Sequence, residues 1–201
     1  MMKRGGISQS SIKKAIHKQA SKELKRHAQR RIKQGVEKAK ALMLAEFDNH
    51  PITREIAAGP NATNSSGTLS GAGNLFSFIG FDSGDRPTRP VRKLLESSTR
   101  LVSVNVRKGG DLFFDVVIDV PSKDEMAQAS PLPWAAARSW VVGVEQGLSG
   151  LGQYLVKPET GRSGGGIEIQ GKIRSGKFKN TKYVTQILAN LQANLMRFLN
   201  S

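Results

Sequence analysis

Apolar residues recur every four positions near the start of the chain, and this pattern predicts one long helix from about Ser10 to Phe47. The stripe is Ile12, Ile16, Ala20, Leu24, Ala28, Ile32, Val36, Ala39, Met43 and Phe47. A step of four exceeds the 3.6-residue turn, so the stripe winds slowly around the helix. The first half of the stripe is thin and is flanked by Lys and Arg, whereas its second half is rich in large apolar residues. We therefore expect the helix to pack at its C-terminal end alone, with Gly35 as a weak point between the halves.

The clearest β pattern lies in the middle of the chain. Two runs rich in strand-forming side chains, residues 101–106 and 112–120, lie on either side of a Gly-Gly link. This arrangement predicts a hairpin. Before it, a long loop rich in Gly, Ser and Asn spans residues 57–74. The apolar run Leu75–Phe81 follows this loop and is read as a strand or a buried loop anchor. A turn-rich connection at residues 82–90 leads on towards the hairpin.

The last third of the chain alternates between further predicted elements. Pro133 indicates the start of a helix of about 12 residues that ends at Gly147. Residues 153–156 and 166–173 read as strands on either side of a loop at 157–165. A final amphipathic helix is predicted from Tyr183 to Leu199, with Thr181 as a possible cap. The order predicts an α+β fold with a long basic N-terminal helix, an antiparallel sheet with one or two packed helices, and a C-terminal amphipathic helix.

Charge divides the chain into two parts. The protein has 201 residues and a net charge of +15, and residues 1–40 carry 13 Lys or Arg against 2 acids, a net of +11. Residues 41–156 carry 10 basic and 12 acidic residues, a net of −2. This asymmetry predicts a basic helical arm at 1–40 and an α+β domain at 41–201, with the arm binding an anionic partner. A merely solvated helix face is the alternative.

Composition and the lengths of the apolar runs exclude several classes of protein. No apolar run approaches the ~18 residues of a membrane-spanning helix, so no membrane contact is expected. The charged start argues against a secretory signal, and the absence of cysteine excludes disulfides and thiolate metal sites. We expect an intracellular origin.

Candidate catalytic patterns are weak. His17, His27 and His50 lack the spacing of metal ligands. The segment Gly171–Lys177 has the spacing of a phosphate-binding loop, but Phe178 stands where Ser or Thr would ligate magnesium. Asp111, Asp115 and Asp119 share one strand face and are interpreted as a solvated or partner-facing surface. We therefore expect no enzymatic activity, no cofactor and no metal.

The loop and its flanks resemble tailed-bacteriophage neck proteins of the head–tail joining or tail-completion type. The resemblance rests on the long charged helix, on Ser66-Gly67-Thr68-Leu69, which is similar to a Thr-Gly-x-Leu turn of minor tail proteins, and on three further segments. These segments are Leu75–Phe81, Ser139–Gly152 and Ser163–Gly166. The resemblance implies a non-enzymatic virion subunit that forms a ring, often a hexamer, and joins the DNA-filled head to the tail. The resemblance extends to joining, stopper and tail-terminator subunits alike, and it implies synthesis in the host cytoplasm.

Two sets of residues become candidate binding elements in this interpretation. The anion-binding or partner-binding arm comprises Lys13, Lys14, Lys18, Lys22, Lys25, Arg26, Arg30 and Arg31. The assembly loop comprises Ser66, Gly67, Thr68, Leu69 and Leu75, and it is expected to order against a neighbouring subunit through its two leucines. The implied partners are further copies of the chain, portal-side and tail-side virion proteins, and packaged DNA through non-specific contact.

One alternative function and two structural expectations accompany this interpretation. The alternative is a sequence-nonspecific nucleic-acid-binding protein that uses the basic helix. The acidic stripe Asp111, Asp115 and Asp119 of an adjacent subunit is one specific candidate for the arm's partner. We also expect that residues 1–35 can be removed without loss of the folded domain.

Overall fold

A computed structural model describes residues 9–69, 73–107, 113–146 and 181–200 of the chain. The fold is α+β, as predicted, and combines helices with two small antiparallel sheets. The helices are α1 Gln9–Asn49, α2 Pro51–Ala58, α3 Leu75–Ile79, α4 Thr88–Ser98, α5 Lys123–Gln128, α6 Trp140–Glu145 and α7 Val184–Asn200. The strands are β1 Arg100–Arg107, β2 Phe113–Asp119, β3 Pro131–Leu132 and β4 Ala135–Ser139.

The long first helix and the amphipathic last helix are both confirmed, and they pack against each other. Gly35 of α1 lies beside Phe198 of α7, whereas Glu46 accepts a 2.6 Å hydrogen bond from Asn190. Since the residue number rises along one helix as it falls along the other, the two helices are antiparallel. The start of α1 therefore leaves the body near the C-terminal end of α7.

The core is centred on aromatic side chains that join α1, α6 and α7. Tyr183 is buried, and its ring lies 6.0 Å from that of Phe47 and 6.3 Å from that of Trp140, measured between centroids. Its hydroxyl forms a 2.5 Å hydrogen bond with the Thr53 hydroxyl, which satisfies a polar group that burial would otherwise penalise. The core thus brings together residues that are 130 or more positions apart, including the pair Thr53 and Tyr183.

Local capping explains where several short helices begin. Asn74 accepts a hydrogen bond from the Ser77 amide at 2.9 Å, so α3 starts immediately after it. Ser122 and Glu125 form a reciprocal capping box at the start of α5. Ser139 accepts from the Val142 amide at 3.1 Å and so starts α6.

The predicted hairpin is present as β1 and β2. The two strands are antiparallel, with Val104 opposite Val116 and Leu101 opposite Ile118. The register shifts between Leu101 and Ser103, which indicates a bulge in β1. A second, very short sheet pairs β3 with β4.

The structure corrects three sequence predictions. The helix predicted from Pro133 to Gly147 is wrong over its first half, because residues 135–139 form β4 and the helix begins only at Trp140. The apolar run at 75–81 is helical over α3, so the strand alternative is wrong, while its burial agrees with an anchor. The turn-rich connection at 82–90 gives way to α4 from Thr88. Helix α5 was not predicted.

Several predictions fall outside the described residues. These are the strands at 153–156 and 166–173, the loop at 157–165, the segment Gly171–Lys177, the segment Ser163–Gly166 and Asp111.

Candidate interaction arm and assembly loop

The first part of α1 extends beyond the folded body. The helix has 41 residues and is therefore about 60 Å long at 1.5 Å per residue. Residues 22–27 are exposed, and Leu24 of the apolar stripe retains 43% of its accessible surface. Burial begins gradually at Ala28 and Ile32 and is complete at Val36. The body thus holds α1 from about Ile32 onwards, so the packed part of the helix starts inside the segment 1–40.

The described basic residues of the arm are exposed to solvent, as the sequence indicated. They are Lys22, Lys25, Arg26, Arg30 and Arg31. Arg26 forms an ion pair with Glu23 at 3.0 Å, and both side chains are more than half exposed. Such a pair contributes little to stability because water screens it. Lys13, Lys14 and Lys18 belong to the same helix, but their side chains lie outside the described part.

Two regular series of residues run along the arm. One is the apolar stripe, with its step of four from Ile12 to Ile32. The other is a basic series with the same step, which we call the basic ladder: Lys14, Lys18, Lys22, Arg26 and Arg30. The two series are offset by two residues, or about 200° around the helix, so they occupy opposite sides. Ile32 packs on the core, so Arg30 lies on the side of α1 that faces away from the body. Each step of four adds about 40°, so the lower-numbered members of the ladder turn progressively from that side.

The ladder continues into a surface groove at the base of the arm. Among described residues, the groove is lined by Arg30, Lys33, Gln34, Glu37 and Lys38. Gln34 and Lys38 extend the step of four beyond Arg30. With three cations and one carboxylate, this groove carries the positive character of the arm down to the body.

A buried carboxylate fastens the candidate assembly loop. Glu55 of α2 is 1% exposed, and its two oxygens accept hydrogen bonds from the Ser66 and Leu75 amides, each at 2.7 Å. Asn74 adds a 2.8 Å bond from its side-chain amide to the Pro60 carbonyl. Bonds to a charged acceptor are stronger than neutral ones. The two ends of the loop are therefore tied to α2 from inside the chain.

The segment Ser66-Gly67-Thr68-Leu69 forms a tight turn. The Ser66 hydroxyl contacts the Thr68 hydroxyl at 2.6 Å and accepts from the Thr68 amide at 3.3 Å. Gly67 has φ +67°, a conformation that favours glycine. Leu69 is 2% exposed and Leu75 is fully buried, both within the chain's own core. This differs from the expectation that the two leucines contact a neighbouring subunit, because both side chains pack in the chain's own core and Glu55 binds the Leu75 amide.

The acidic stripe on the hairpin is partly neutralised within the chain. Asp119 pairs with Arg100 at 3.1 Å, Asp115 is half-buried, and Asp111 lies outside the described residues. In the described ranges, no group of His, Asp and Glu has an arrangement that could hold a metal ion. The stripe therefore does not present a row of three available carboxylates.

His50 has a structural position between α1 and α2. Its Nδ1 accepts a 3.3 Å hydrogen bond from the Ile52 amide, and its ring lies 4.6 Å from that of Tyr183. Burial lowers the pKa of His50 below its ordinary value, against an opposing influence of the Glu46 charge. His50 is thus a neutral cap for α2, while His27 is exposed on the arm.

Two glutamates that the sequence interpretation did not single out organise the body. One is Glu55, already described. The other is Glu145, whose carboxylate accepts hydrogen bonds from the Tyr183 and Thr185 amides at 3.2 and 2.6 Å and so caps α7. Each acid is embedded in an apolar sequence, in Ile52–Ala58 and Trp140–Glu145 respectively. An acidic residue within or at the end of an apolar segment is the sequence signal that could have identified both.

No described helix has the combined length and apolar character that crossing a membrane would require. Comparisons with protein-family models, with curated proteins and with solved structures find no match to the chain.

Proposed function

We propose that the chain is a non-enzymatic structural subunit of a tailed-bacteriophage neck or tail. In this role it forms a ring in the virion that joins the DNA-filled head to the tail and lets DNA pass. The proposal begins from the sequence resemblance to head–tail joining and tail-completion proteins. It assigns attachment to the arm and to the loop surface rather than any chemistry to a cleft.

The observation that carries the proposal is the exposed first part of α1. From Gln9 to Arg31 the helix covers about 35 Å, and its described side chains before Ala28 are exposed. An isolated helix with this density of like charges is disfavoured, since each repelling pair three or four residues apart costs roughly 0.2–0.5 kcal/mol. Such an extension is stabilised when a neighbour in an assembly covers and neutralises it.

The loop around Gly67 supports the same role in a different way. Glu55 holds Ser66 and Leu75, while Asn61, Thr63, Ser65 and Gly67 are exposed along the loop. A loop that is firmly anchored at both ends presents a defined polar surface, which lowers the entropy lost on binding. We assign this surface, rather than Leu69 and Leu75, to contact with an adjacent virion protein.

Complementation of a parent phage that lacks the gene tests the proposal. We expect the null particle to accumulate separate filled heads and tails in electron micrographs, and the intact chain to restore joined, infective particles that contain it. A chain that lacks residues 1–27 should fold but fail to restore joining. Joined, infective particles without the chain would refute the proposal.

A further inference from the structure

We propose that the basic ladder binds the phosphate backbone of duplex nucleic acid without reading base sequence. The inference deepens the proposed function and rests on it for the source of the duplex, which would be the DNA passing through the neck. The described members Lys22, Arg26 and Arg30 are exposed. The helical backbone extends the same step to Lys18 and Lys14.

The spacing of the ladder suits a uniform polyanion. Successive members are four residues apart, which is about 6 Å along the helix axis. Duplex DNA carries one negative charge per roughly 1.7 Å of its axis, so each step of the ladder meets phosphates at any register. Binding to a duplex therefore requires no matched pattern of charges on the partner. Binding to a folded acidic protein would require one.

The composition of the arm also supports binding to a phosphate backbone. From Lys13 to Lys33 the sequence holds nine Lys or Arg and a single acid, Glu23, which pairs with Arg26 within the arm itself. At the base, the groove lined by Arg30, Lys33 and Lys38 continues the positive surface. A dense cluster of Lys and Arg along a helix is the electrostatic footprint of backbone binding.

The body of a second copy is a poor source of the neutralising anion. Among the described residues, eight of its carboxylates already accept hydrogen bonds inside the chain: Glu46, Asp48, Glu55, Asp85, Glu96, Asp119, Glu125 and Glu145. Asp48 and Glu96 both pair with Arg92, at 2.9 and 3.3 Å. The negative charge of the acidic stripe on an adjacent subunit is also reduced, because Asp119 pairs with Arg100. The counter-charge is therefore expected from a different molecule.

A salt titration of the full-length chain tests the inference. The probe is a fluorescently labelled 30-base-pair duplex in two unrelated sequences, and the readout is the slope of log K against log salt concentration. The triple variant Lys22→Gln, Arg26→Gln, Arg30→Gln should reduce the slope by about 2–3 and weaken binding at least about tenfold near 0.1 M salt. Both sequences should behave alike.

A matched triple variant controls for net charge. Arg54→Gln, Arg89→Gln, Lys93→Gln removes the same three charges from exposed positions of the body. It should change the slope by less than about one. The charge-conserving pair Arg26→Lys, Arg30→Lys should retain the slope of the parent chain. Melting curves verify that every variant is folded.

The contrary outcomes are equally clear. Equal effects of the ladder and body variants would overturn the inference, since the binding would then follow net charge alone. Displacement of the duplex by poly-glutamate as efficiently as by unlabelled duplex, at equal charge concentration, would overturn it in favour of an acidic protein partner. Neither result depends on ring formation, because particle joining is measured separately by complementation.

Discussion

The α carbon of Gly35 approaches Phe198 so closely that a Cβ added to this glycine would lie 3.2 Å from the Phe198 Cβ. This approach occurs where the C-terminal end of α7 crosses α1. Gly35 therefore allows two helices to pack at short range, and the structure gives it this role in place of the predicted weak point. Glycine destabilises a helix interior, but it fits here because the contact leaves little space for a side chain.

Replacement of Gly35 by leucine should separate α1 from α7. We expect the free energy of unfolding to fall by about 1–3 kcal/mol, because the larger side chain overfills a close contact. Urea denaturation followed by circular dichroism measures the loss. Gly84→Leu is the matched control, since no atom lies within 4 Å of a Cβ at Gly84, and its effect should stay within about 0.5 kcal/mol. Equal losses would contradict the packing role.

Glu55→Gln should loosen the assembly loop. The amide nitrogen of glutamine cannot accept a hydrogen bond, so either the Ser66 or the Leu75 amide loses its partner. We expect a loss of about 2–3 kcal/mol in unfolding free energy and faster proteolysis within residues 62–74. Glu37→Gln makes the same chemical change at an exposed position and should leave both measurements unchanged. Unaltered proteolysis in Glu55→Gln would show that the loop is held by other contacts.

Removal of residues 1–27 should leave the melting temperature within about 2 °C of that of the full chain. The described side chains of this segment are exposed, so little buried surface is lost. Removal of residues 1–35 should lower the melting temperature by several degrees, because it takes away Ile32 and the first contacts of α1 with α7. This revises the sequence-based expectation that the first 35 residues are dispensable. Differential scanning calorimetry compares the two truncations, and identical transitions would contradict the boundary near Ile32.

Acidification should destabilise the body through His50. Its pKa is below the ordinary value of 6.5 in the folded chain, so the unfolded chain binds the proton first as pH falls. Stability contributed by this group is therefore complete above about pH 6.5 and declines below it until the folded pKa is reached. His50→Asn keeps a capping side chain but cannot titrate, and its melting temperature should fall less between pH 7 and pH 5.5. A parallel fall in both proteins would assign the pH dependence to other groups.

Glu145→Ala should unfasten the start of α7. The carboxylate caps two amides and also accepts from the Thr185 hydroxyl at 2.6 Å, and loss of a comparable helix cap costs about 1–2 kcal/mol. Glu145→Gln retains one acceptor oxygen and should lose less. Thermal unfolding followed by circular dichroism measures both changes, and the reverse order would contradict the capping role.

Long periodic segments were predictable from the sequence because their pattern extends over many residues. Helices α1 and α7 and the β1–β2 hairpin belong to this group. The tetrapeptide Ala135-Ala136-Ala137-Arg138 favours a helix locally, but pairing of Leu132 with Ala135 and of Pro131 with Ser139 draws it into β4. Tertiary pairing overrides a weak local preference there, and sequence alone does not reveal that pairing.

The shorter elements are marked in the sequence by capping residues rather than by periodicity. Five residues of α3 are too few to show a helical period, yet Asn74 before it and Gly80 after it, with φ +91°, mark its two ends. Ser122 and Glu125 similarly announce α5. The exposure of the described arm residues was predictable from their charge, whereas the hydrogen bonds of Glu55 were not, because they join positions 11 and 20 residues away.

The antiparallel pairing of α1 with α7 also determines when the body can close during synthesis. The buried side chains Val36, Ala39, Met43 and Phe47 leave the ribosome well before their partners on α7 are made. At 5–20 residues per second, translation of the intervening ~150 residues takes roughly 8–30 s. Throughout this interval the apolar surface of α1 is open to chaperones and to other nascent chains. The charged arm on its N-terminal side is made before these residues, and its like charges favour repulsion between neighbouring nascent chains during this interval.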